Sequence, residues 1–342
     1  MKTAVIIPWR QGETELQTTI DSAAASIGKS ATIYPIEDTT HDGPAKTRHR
    51  GVMAATTSDV IIMVDAHMIF DKRALLRMAR YVNEHGGLIC PKCYHNPECT
   101  FDAKHPSGAS FYSGADIYYK TSDGNGQQAL CWKWSTDPKP GPRPCVGGAC
   151  YVFRREWYFG VGQPLSALPG WGGDEEALSI SAWLSGHMPQ VFDGRVAHRW
   201  RERAPWKLTG SENKAIRYGS RAAIIGACVA DQVDRADLLG WLQSKPVMSK
   251  EIARWREALL KQPRTWAQWK AEVAVMPEAG QKAGKRKNTP NLTTPLHGVV
   301  CPHCHSSHDP KCLKVNHTWP NGNRRHKCPK CNRPFISVYR DK

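Results

Sequence analysis

The sequence contains no long apolar run. No stretch of its 342 residues approaches the roughly 20 consecutive apolar residues of a membrane-spanning helix, which argues against a membrane partner. The apolar run at the N-terminus is short because Pro8, Trp9 and Arg10 interrupt it. We therefore expect a first strand there rather than a signal peptide, and a cytoplasmic, intracellular location.

Acidic residues are scarce relative to basic ones. The chain has 31 Asp and Glu against 47 Lys and Arg, which gives a formal net charge of +16. A positive excess of this size favours a polyanionic partner, with nucleic acid first and an anionic membrane surface second. A merely basic enzyme is the alternative interpretation.

The sequence also lacks a recognisable secretory signal, although it contains 12 cysteines. We therefore expect these cysteines to be reduced thiols or metal ligands rather than a disulfide framework. Two C-x-x-C pairs, CPHC (301–304) and CPKC (328–331), predict a zinc ribbon with four thiolate ligands: Cys301, Cys304, Cys328 and Cys331. So small a module needs the metal for its folding energy. Its basic and aromatic residues favour nucleic-acid binding, with docking of a protein partner as the alternative.

A third group of cysteines, Cys90, Cys93 and Cys99, has the spacing C-x-x-C-x5-C. One interpretation is a second zinc site near the acceptor. The other interpretation is that these residues are buried free thiols.

The first 75 residues alternate between strand and helix patterns. The strand patterns cover 4–8, 31–38 and 59–65, and the helix patterns cover 13–28, 44–58 and 71–87. This alternation predicts an α/β fold with a mostly parallel sheet and helices on both faces. Ligands of such sheets lie at the carboxyl ends of the strands, where Glu37, Asp38 and Asp65 stand.

Asp65 and His67 are two positions apart at the end of an apolar strand. On extended backbone such side chains project to the same side, so the pair could bind one divalent cation. A carboxylate with an imidazole suits Mn²⁺ or Mg²⁺ bridging a pyrophosphate. The alternative is a turn-forming Asp followed by an exposed His.

The pattern divides the chain into four parts. We expect a catalytic domain over 1–210, a helical extension over 211–275, a basic linker over 276–297 and the zinc ribbon over 298–342.

Several motifs in order resemble one family. The segments YPIEDTTHDG, AKTRHRGVMAAT and VIIMVDAHM, followed by VGGACYVFRREWYFGVG, PGWGGDEEALSISAWLSGH and VAHRW, are similar to GT-A-fold glycosyltransferases. The D-x-H form resembles family 2-type enzymes and the polypeptide N-acetylgalactosaminyltransferases. The resemblance covers about residues 3–200 and implies a Rossmann-like sheet that binds a nucleotide sugar.

The resemblance also implies roles for individual residues. The donor would contact Asp38, Glu37, Arg48, Arg50, Trp171, Gly172 and Gly173. The divalent metal would be held by Asp65, His67 and His198. Glu175 would be the catalytic base of an inverting reaction, whereas Asp174 and Glu175 would position sugar hydroxyls in a retaining one. The alternative for these acids is a helix N-terminus that favours negative charge.

The resulting functional prediction is metal-dependent transfer of a sugar from a nucleotide sugar, with UDP as the expected nucleotide, to a hydroxyl on DNA. The basic ribbon and the charge suggest the acceptor, and phage enzymes that glycosylate 5-hydroxymethylpyrimidines would combine these features in a host cytoplasm. One alternative is a glycosyltransferase for protein or polysaccharide, with a ribbon that docks a partner. The other is a non-catalytic DNA-binding protein on a transferase scaffold.

Overall fold

The structure is a computed structural model with two compact units, Met1–Pro277 and Glu278–Lys342. It describes residues 1–29, 31–95, 111–121, 128–135, 139–199, 210–242 and 247–273, and five short strands between 299 and 337. None of the described helices is long and apolar enough to span a membrane.

The first unit is built on a nine-stranded sheet. Its strands, with one separate hairpin formed by β7 and β8, are β1 (Thr3–Trp9), β2 (Ala31–Glu37), β3 (Val60–Val64), β4 (Met68–Phe70), β5 (Leu88–His95), β6 (Phe111–Tyr112), β7 (Ala115–Thr121), β8 (Gln128–Trp134), β9 (Gly141–Pro142), β10 (Cys150–Arg154) and β11 (Gln190–His198). The main path runs β2-β1-β3-β10-β5-β11-β4. Strands β2, β1, β3, β5 and β11 run in one direction, while β10 and β4 oppose them.

Nine helices accompany these strands in the described part of the first unit. They are α1 (Leu16–Ile27), α2 (Pro44–Ala54), α3 (Ala74–His85), α4 (Arg155–Gly160), α5 (Asp174–Leu184), α6 (Gly210–Cys228), α7 (Gln232–Leu242), α8 (Lys250–Leu260) and α9 (Trp266–Glu272), with a 3-10 turn at Pro164–Ala167. The second unit contributes the short strands β12 (Val299–Val300), β13 (Ser307–His308), β14 (Val315–Thr318), β15 (Arg324–Lys327) and β16 (Pro334–Ser337).

Two apolar cores cover the two faces of the sheet. Alternate residues of a strand point to opposite faces, so Val5 and Ile7 join one core while Ala4 and Ile6 join the other. Helices α1 and α3 pack on the first face, and α2, α5, α6, α8 and α9 supply the second. The predicted α/β fold, with a mostly parallel sheet between two helical layers, is confirmed.

The second core contains one polar contact with a consequence for stability. His49 of α2 lies with its Nδ1 3.0 Å from the hydroxyl of Tyr158 on α4. Burial, followed by the positive charges of Arg254 and Arg50, lowers the pKa of His49 to about 4. The native state therefore favours the neutral imidazole.

We predict that the chain loses stability through His49 as the pH falls. An unfolded histidine has a pKa near 6.5, so between about pH 6.5 and pH 4 the unfolded chain binds a proton that the folded chain does not. The free energy of unfolding should fall by about 2 kcal/mol more in the wild type than in His49→Gln between pH 8 and pH 5. Urea unfolding measures this difference. Parallel pH curves for the two proteins would contradict it.

Candidate functional site

Polar side chains follow three parallel strands where each strand ends. Arg10, Asp38 and Asp65 come directly after β1, β2 and β3. The carboxyl ends of parallel strands meet at one edge of a sheet, and the Arg10 guanidinium accordingly donates to Asp38 Oδ2 at 2.6 Å. This edge is where the candidate site lies.

Asp38 is held by several donors. The backbone N–H groups of Asp42 and Gly43 donate to its two carboxylate oxygens at 3.0 and 3.1 Å, and Arg50 lies 3.5 Å away. Burial raises the pKa of Asp38, but the hydrogen bond from Arg10 and those from the backbone outweigh it and lower the pKa overall. Glu37, by contrast, is exposed, and only its backbone carbonyl accepts from Arg50.

The structure brings Asp65, His67 and His198 together. His198 is the last residue of β11 and pairs with Met68 of β4, which places it beside His67. The backbone N–H of Arg199 donates to the His67 carbonyl at 3.1 Å, which extends this pairing. One ligand atom from each of the three side chains lies within 4.8 Å of the others, and the two imidazole rings are 4.6 Å apart.

This cluster fits a divalent metal ion. Burial raises the pKa of Asp65, but Arg48, His198 and His67 together lower it to about 2. Burial also lowers the pKa of His67, so both groups favour their metal-binding, deprotonated forms. A carboxylate with two imidazoles matches Mn²⁺ better than Mg²⁺, which prefers oxygen ligands.

A buried arginine joins the cluster to α5. The Arg48 guanidinium donates to Asp65 Oδ1 and to Asp174 Oδ2, and its side chain is 4% exposed. Tyr151 donates its hydroxyl to the same Asp174 oxygen at 2.9 Å. The prediction for Arg48 named a nucleotide base or diphosphate; the structure places its charge between a candidate metal ligand and the start of α5.

The loop before α5 carries the predicted Trp-Gly-Gly sequence. Trp171 is 45% exposed, and Gly172 and Gly173 have φ values of +91° and +90° that favour glycine. A Cβ on Gly173 would lie 2.8 Å from the Cβ of Ser220 on α6. Gly173 therefore allows α5 to begin against α6, with Asp174 as its first residue.

Glu175 and Glu176 differ from the acids at the strand ends. A Cβ on Gly148 would lie 1.9 Å from Glu175 Oε1, so this carboxyl packs directly against backbone. Burial and the neighbouring Asp174 raise the pKa of Glu175 well above its usual range. Burial also raises the pKa of Glu176, to about 7. The surroundings of Glu175 therefore favour the protonated form of its carboxyl more than water does.

The structure does not bring Cys90 and Cys93 together. They stand three positions apart on β5, where Cys90 enters one core and Cys93 the other. Burial raises the pKa of the Cys90 thiol to about 12, which disfavours a thiolate ligand. Among the described residues, both cysteines are buried and neither forms a disulfide. Cys99 and the ribbon cysteines Cys301, Cys304, Cys328 and Cys331 lie outside the described residues.

Three residues of the site were missed from the sequence. Arg10 could have been found, because it follows β1 just as Asp38 follows β2. Glu13 lies with a carboxylate oxygen 3.5 Å from His67 Nδ1, and Tyr151 contacts Asp174. Neither has a local sequence signal, because both depend on tertiary contacts.

The site and fold can be compared with known proteins. Residues 29–158 match the family model described as glycosyl transferase family 2. The chain is 26% identical to polypeptide N-acetylgalactosaminyltransferase 10 of Rattus norvegicus over 172 residues, which are 49% of this chain and 28% of that protein. It is 21% identical to probable N-acetylgalactosaminyltransferase 9 of Caenorhabditis elegans over 251 residues, 70% of this chain and 40% of that protein. The matches thus span less than half the length of these relatives.

A solved structure shows the same fold. The crystal structure of GalNAc-T7 with UDP, GalNAc and Mn²⁺ superposes with a TM-score of 0.58 and 16% identity, over 80% of this chain and 56% of that one. The predicted GT-A fold is confirmed. The match to the glycosyl transferase family 2 model over residues 29–158 lies within the first unit.

We predict that Gly43 is essential to the shape of this site. Its φ is +89°, and a Cβ would lie 2.2 Å from the carbonyl oxygen of Gly170. Gly43→Ala must therefore separate the Asp38 loop from the Trp-Gly-Gly loop. Gly12→Ala is the matched control, because Gly12 has a φ of +91° but nothing within 4 Å of the added Cβ.

Both variants carry backbone strain. Gly43→Ala should nevertheless lower the free energy of unfolding, measured with urea, by about 2 kcal/mol more than Gly12→Ala does. It should also bind UDP more weakly by calorimetry. Equal stability and equal UDP affinity in the two variants would show that the close approach of the loops is unimportant.

Proposed function

We propose that the chain is a metal-dependent glycosyltransferase that moves a sugar from a UDP-sugar to a hydroxyl acceptor. The observation that carries the proposal is the meeting of Asp65, His67 and His198 at the carboxyl edge of the sheet. The fold, the family match and a structural relative described with UDP, GalNAc and Mn²⁺ support it.

The nucleoside end of the donor is assigned to the Asp38 region. Arg10 and the backbone of 42–43 fix this carboxylate, so it can accept hydrogen bonds from a base or ribose without reorganising. Arg50, paired with Asp42 at 3.2 Å, contributes positive charge beside it. Trp171, with Gly172 and Gly173, is assigned to the sugar end.

Asp65, His67 and His198 would hold Mn²⁺, with Mg²⁺ as the weaker fit. When bound, the ion supplies positive charge that neutralises the diphosphate as it leaves the sugar. Arg48 adds a permanent cation beside Asp65, because its buried guanidinium stays protonated. Its position also fixes the Asp65 carboxylate before any ligand arrives, which lowers the cost of ordering it during binding.

For the acceptor we propose DNA that carries 5-hydroxymethylpyrimidines. The net charge of +16 and the basic C-terminal region support this choice, because a polyanion is attracted at long range. A second candidate is a protein hydroxyl. The observation that favours it is the similarity to polypeptide N-acetylgalactosaminyltransferases.

One assay separates these candidates. The protein is incubated with Mn²⁺ and a panel of UDP-sugars, beginning with UDP-N-acetylgalactosamine, and with hydroxymethylated DNA, unmodified DNA or Ser/Thr peptides. Mass spectrometry detects the product. Sugar on hydroxymethylated DNA alone supports the DNA acceptor, and sugar on peptide supports the second candidate. Salt-sensitive DNA binding without donor turnover on any acceptor would overturn the enzyme proposal.

We predict that Asp65→Asn abolishes transfer. The amide keeps the shape of the side chain but removes the negative charge needed for the metal, so Mn²⁺ affinity should fall about 100-fold or more. Calorimetric titration with Mn²⁺ measures this affinity. The control is Asp71→Asn, because Asp71 is a carboxylate just beyond β4 that lies outside the cluster. Full activity in Asp65→Asn would remove this residue from the metal site.

For the acids of α5 we propose positioning roles. Burial and Asp174 raise the pKa of Glu175, which disfavours the carboxylate form that could take a proton from an acceptor hydroxyl. This supports the retaining alternative, in which these groups orient the sugar. Asp174 has a different task, because its carboxylate receives both Arg48 and Tyr151.

This assignment predicts a difference between two amide variants. Glu175→Gln should retain activity within about tenfold, because an amide can replace a protonated carboxyl as a donor. Asp174→Asn should lower the transfer activity by about 100-fold or more, because it leaves the buried Arg48 charge without one of its two carboxylate partners. Initial rates and UDP affinity are measured together. A loss of about 1,000-fold in Glu175→Gln with normal UDP binding would identify Glu175 as a catalytic base.

For the C-terminal unit we propose a Zn²⁺ ion held by Cys301, Cys304, Cys328 and Cys331, and a role in holding DNA. The support is the sequence spacing alone. Elemental analysis should find about one Zn²⁺ per chain, and Cys301→Ser with Cys304→Ser should remove it. A chain ending at residue 277 should lose DNA affinity but retain UDP-sugar hydrolysis. Zinc-free wild-type protein would contradict this part of the proposal.

A further inference from the structure

A cleft of about 830 Å³ opens beside α2, away from the metal cluster. Its walls come from the exposed side of α2, the 3-10 turn with the residues after it, the middle of α6 and the beginning of α8. Its volume is typical of a site for a small organic ligand. Asp65, His67, His198 and Asp174 are not among its lining residues.

The cleft carries an excess of positive charge. Four cationic side chains line it, against two carboxylates: Lys46, Arg50, Lys250 and Arg254, against Asp42 and Glu251. Asp42 pairs with Arg50 at 3.2 Å, and Glu251 lies 3.9 Å from Lys250. Lys46 forms no hydrogen bond or ion pair with another residue of the described part of the chain. Within the described residues, no carboxylate neutralises its ammonium group.

The arginine of α8 is fixed in place before any ligand arrives. Arg254 donates to Ser166 Oγ at 2.6 Å and to the Gly162 carbonyl at 3.4 Å. An arginine whose guanidinium already donates some of its hydrogen bonds loses little conformational freedom when its remaining N–H groups bind an oxyanion. Arg254 and Arg50 also disfavour protonation of His49 in the same wall, after burial itself.

Apart from Ser166, Ser249 and His49, the rest of the wall is apolar. Ala167 and Pro169 form one part of it, and Ala222, Ala223 and Ile252 form another. A ligand that combines phosphate with an uncharged organic body therefore matches the lining better than a bare inorganic ion. Nucleotides have this composition, and the cleft is joined to the donor region through Asp42 and Arg50, which also contact the Asp38 loop.

We propose that this cleft is a second anion site, which binds the phosphate group of a nucleotide unit other than the donor diphosphate. The nucleotide can be part of a nucleic-acid strand or a free molecule. If it is part of the acceptor strand, the inference rests on the proposed function; binding of phosphate as such does not. Arg254 and Lys46 receive the phosphate oxygens, and the apolar wall receives the sugar or base.

Lysine footprinting of the full chain tests the site without any turnover. Acetylation of Lys46 and Lys250 is measured by mass spectrometry with no Mn²⁺ or Mg²⁺ added, so that the donor site cannot bind through a metal while the proposed zinc of the C-terminal unit is retained. The probes are a 12-nucleotide oligothymidylate and thymidine monophosphate. Lys29, an exposed lysine that does not line the cleft, is the internal control.

We expect acetylation of Lys46 to fall about fivefold or more while Lys29 is unchanged. Protection by the oligonucleotide alone identifies a strand, and protection by both probes identifies a nucleotide site. Absence of selective protection with either probe, at concentrations up to about 10 mM monophosphate or 1 mM oligonucleotide, would overturn the proposal.

Charge-reversal variants give an independent test. Lys46→Glu and Lys29→Glu change the net charge equally, so general attraction between a basic protein and a polyanion affects both alike. Only Lys46→Glu should abolish the protection of Lys250 by the probe. Equal protection of Lys250 in the two variants would overturn the proposal. Failure of sugar transfer in the assay with UDP-sugars would bear only on the proposed function.

Discussion

The candidate site depends on one buried cation. Arg48 is 3% exposed and bridges Asp65, at the end of β3, to Asp174, at the start of α5. A guanidinium without partners in this environment would cost several kcal/mol, so the two carboxylates must stay where they are. The ion pairs therefore connect three elements that come from distant parts of the sequence. Through them the start of α5 is held against the edge of the sheet where the candidate metal ligands Asp65, His67 and His198 lie.

The same edge explains how the remaining site residues are assembled. Parallel strands deliver Arg10, Asp38 and Asp65 to one side, and β11 brings His198 there in the same direction. The close approach of Gly43 to Gly170 joins the loop after Asp38 to the Trp-Gly-Gly loop. The cationic cleft beside α2 shares Arg50 and Asp42 with the region around Asp38, to which the donor nucleoside is proposed to bind.

Much of this arrangement could be predicted from the sequence, because strand ends and short motifs are local features. The three alternating strands and helices follow from the periodicity of apolar residues. The importance of the acids at 38 and 65 follows because ligands of parallel sheets lie at the carboxyl ends of the strands. The role of His198 could be predicted only from the family resemblance. Its partner strand β4 has three residues, which are too few to show an alternating apolar pattern. The buried side of Glu175 and the separation of Cys90 from Cys93 could not be foreseen, since both depend on which face of an element meets the core.

The central claim is that Asp65, His67 and His198 bind one ion together with a nucleoside diphosphate. Anomalous X-ray diffraction from crystals grown with Mn²⁺ and UDP measures this directly. The account predicts a single manganese peak within about 2.3 Å of one atom from each of the three side chains, with the diphosphate oxygens completing its shell. A peak elsewhere, or UDP bound with these three residues making no contact to the metal, would contradict it.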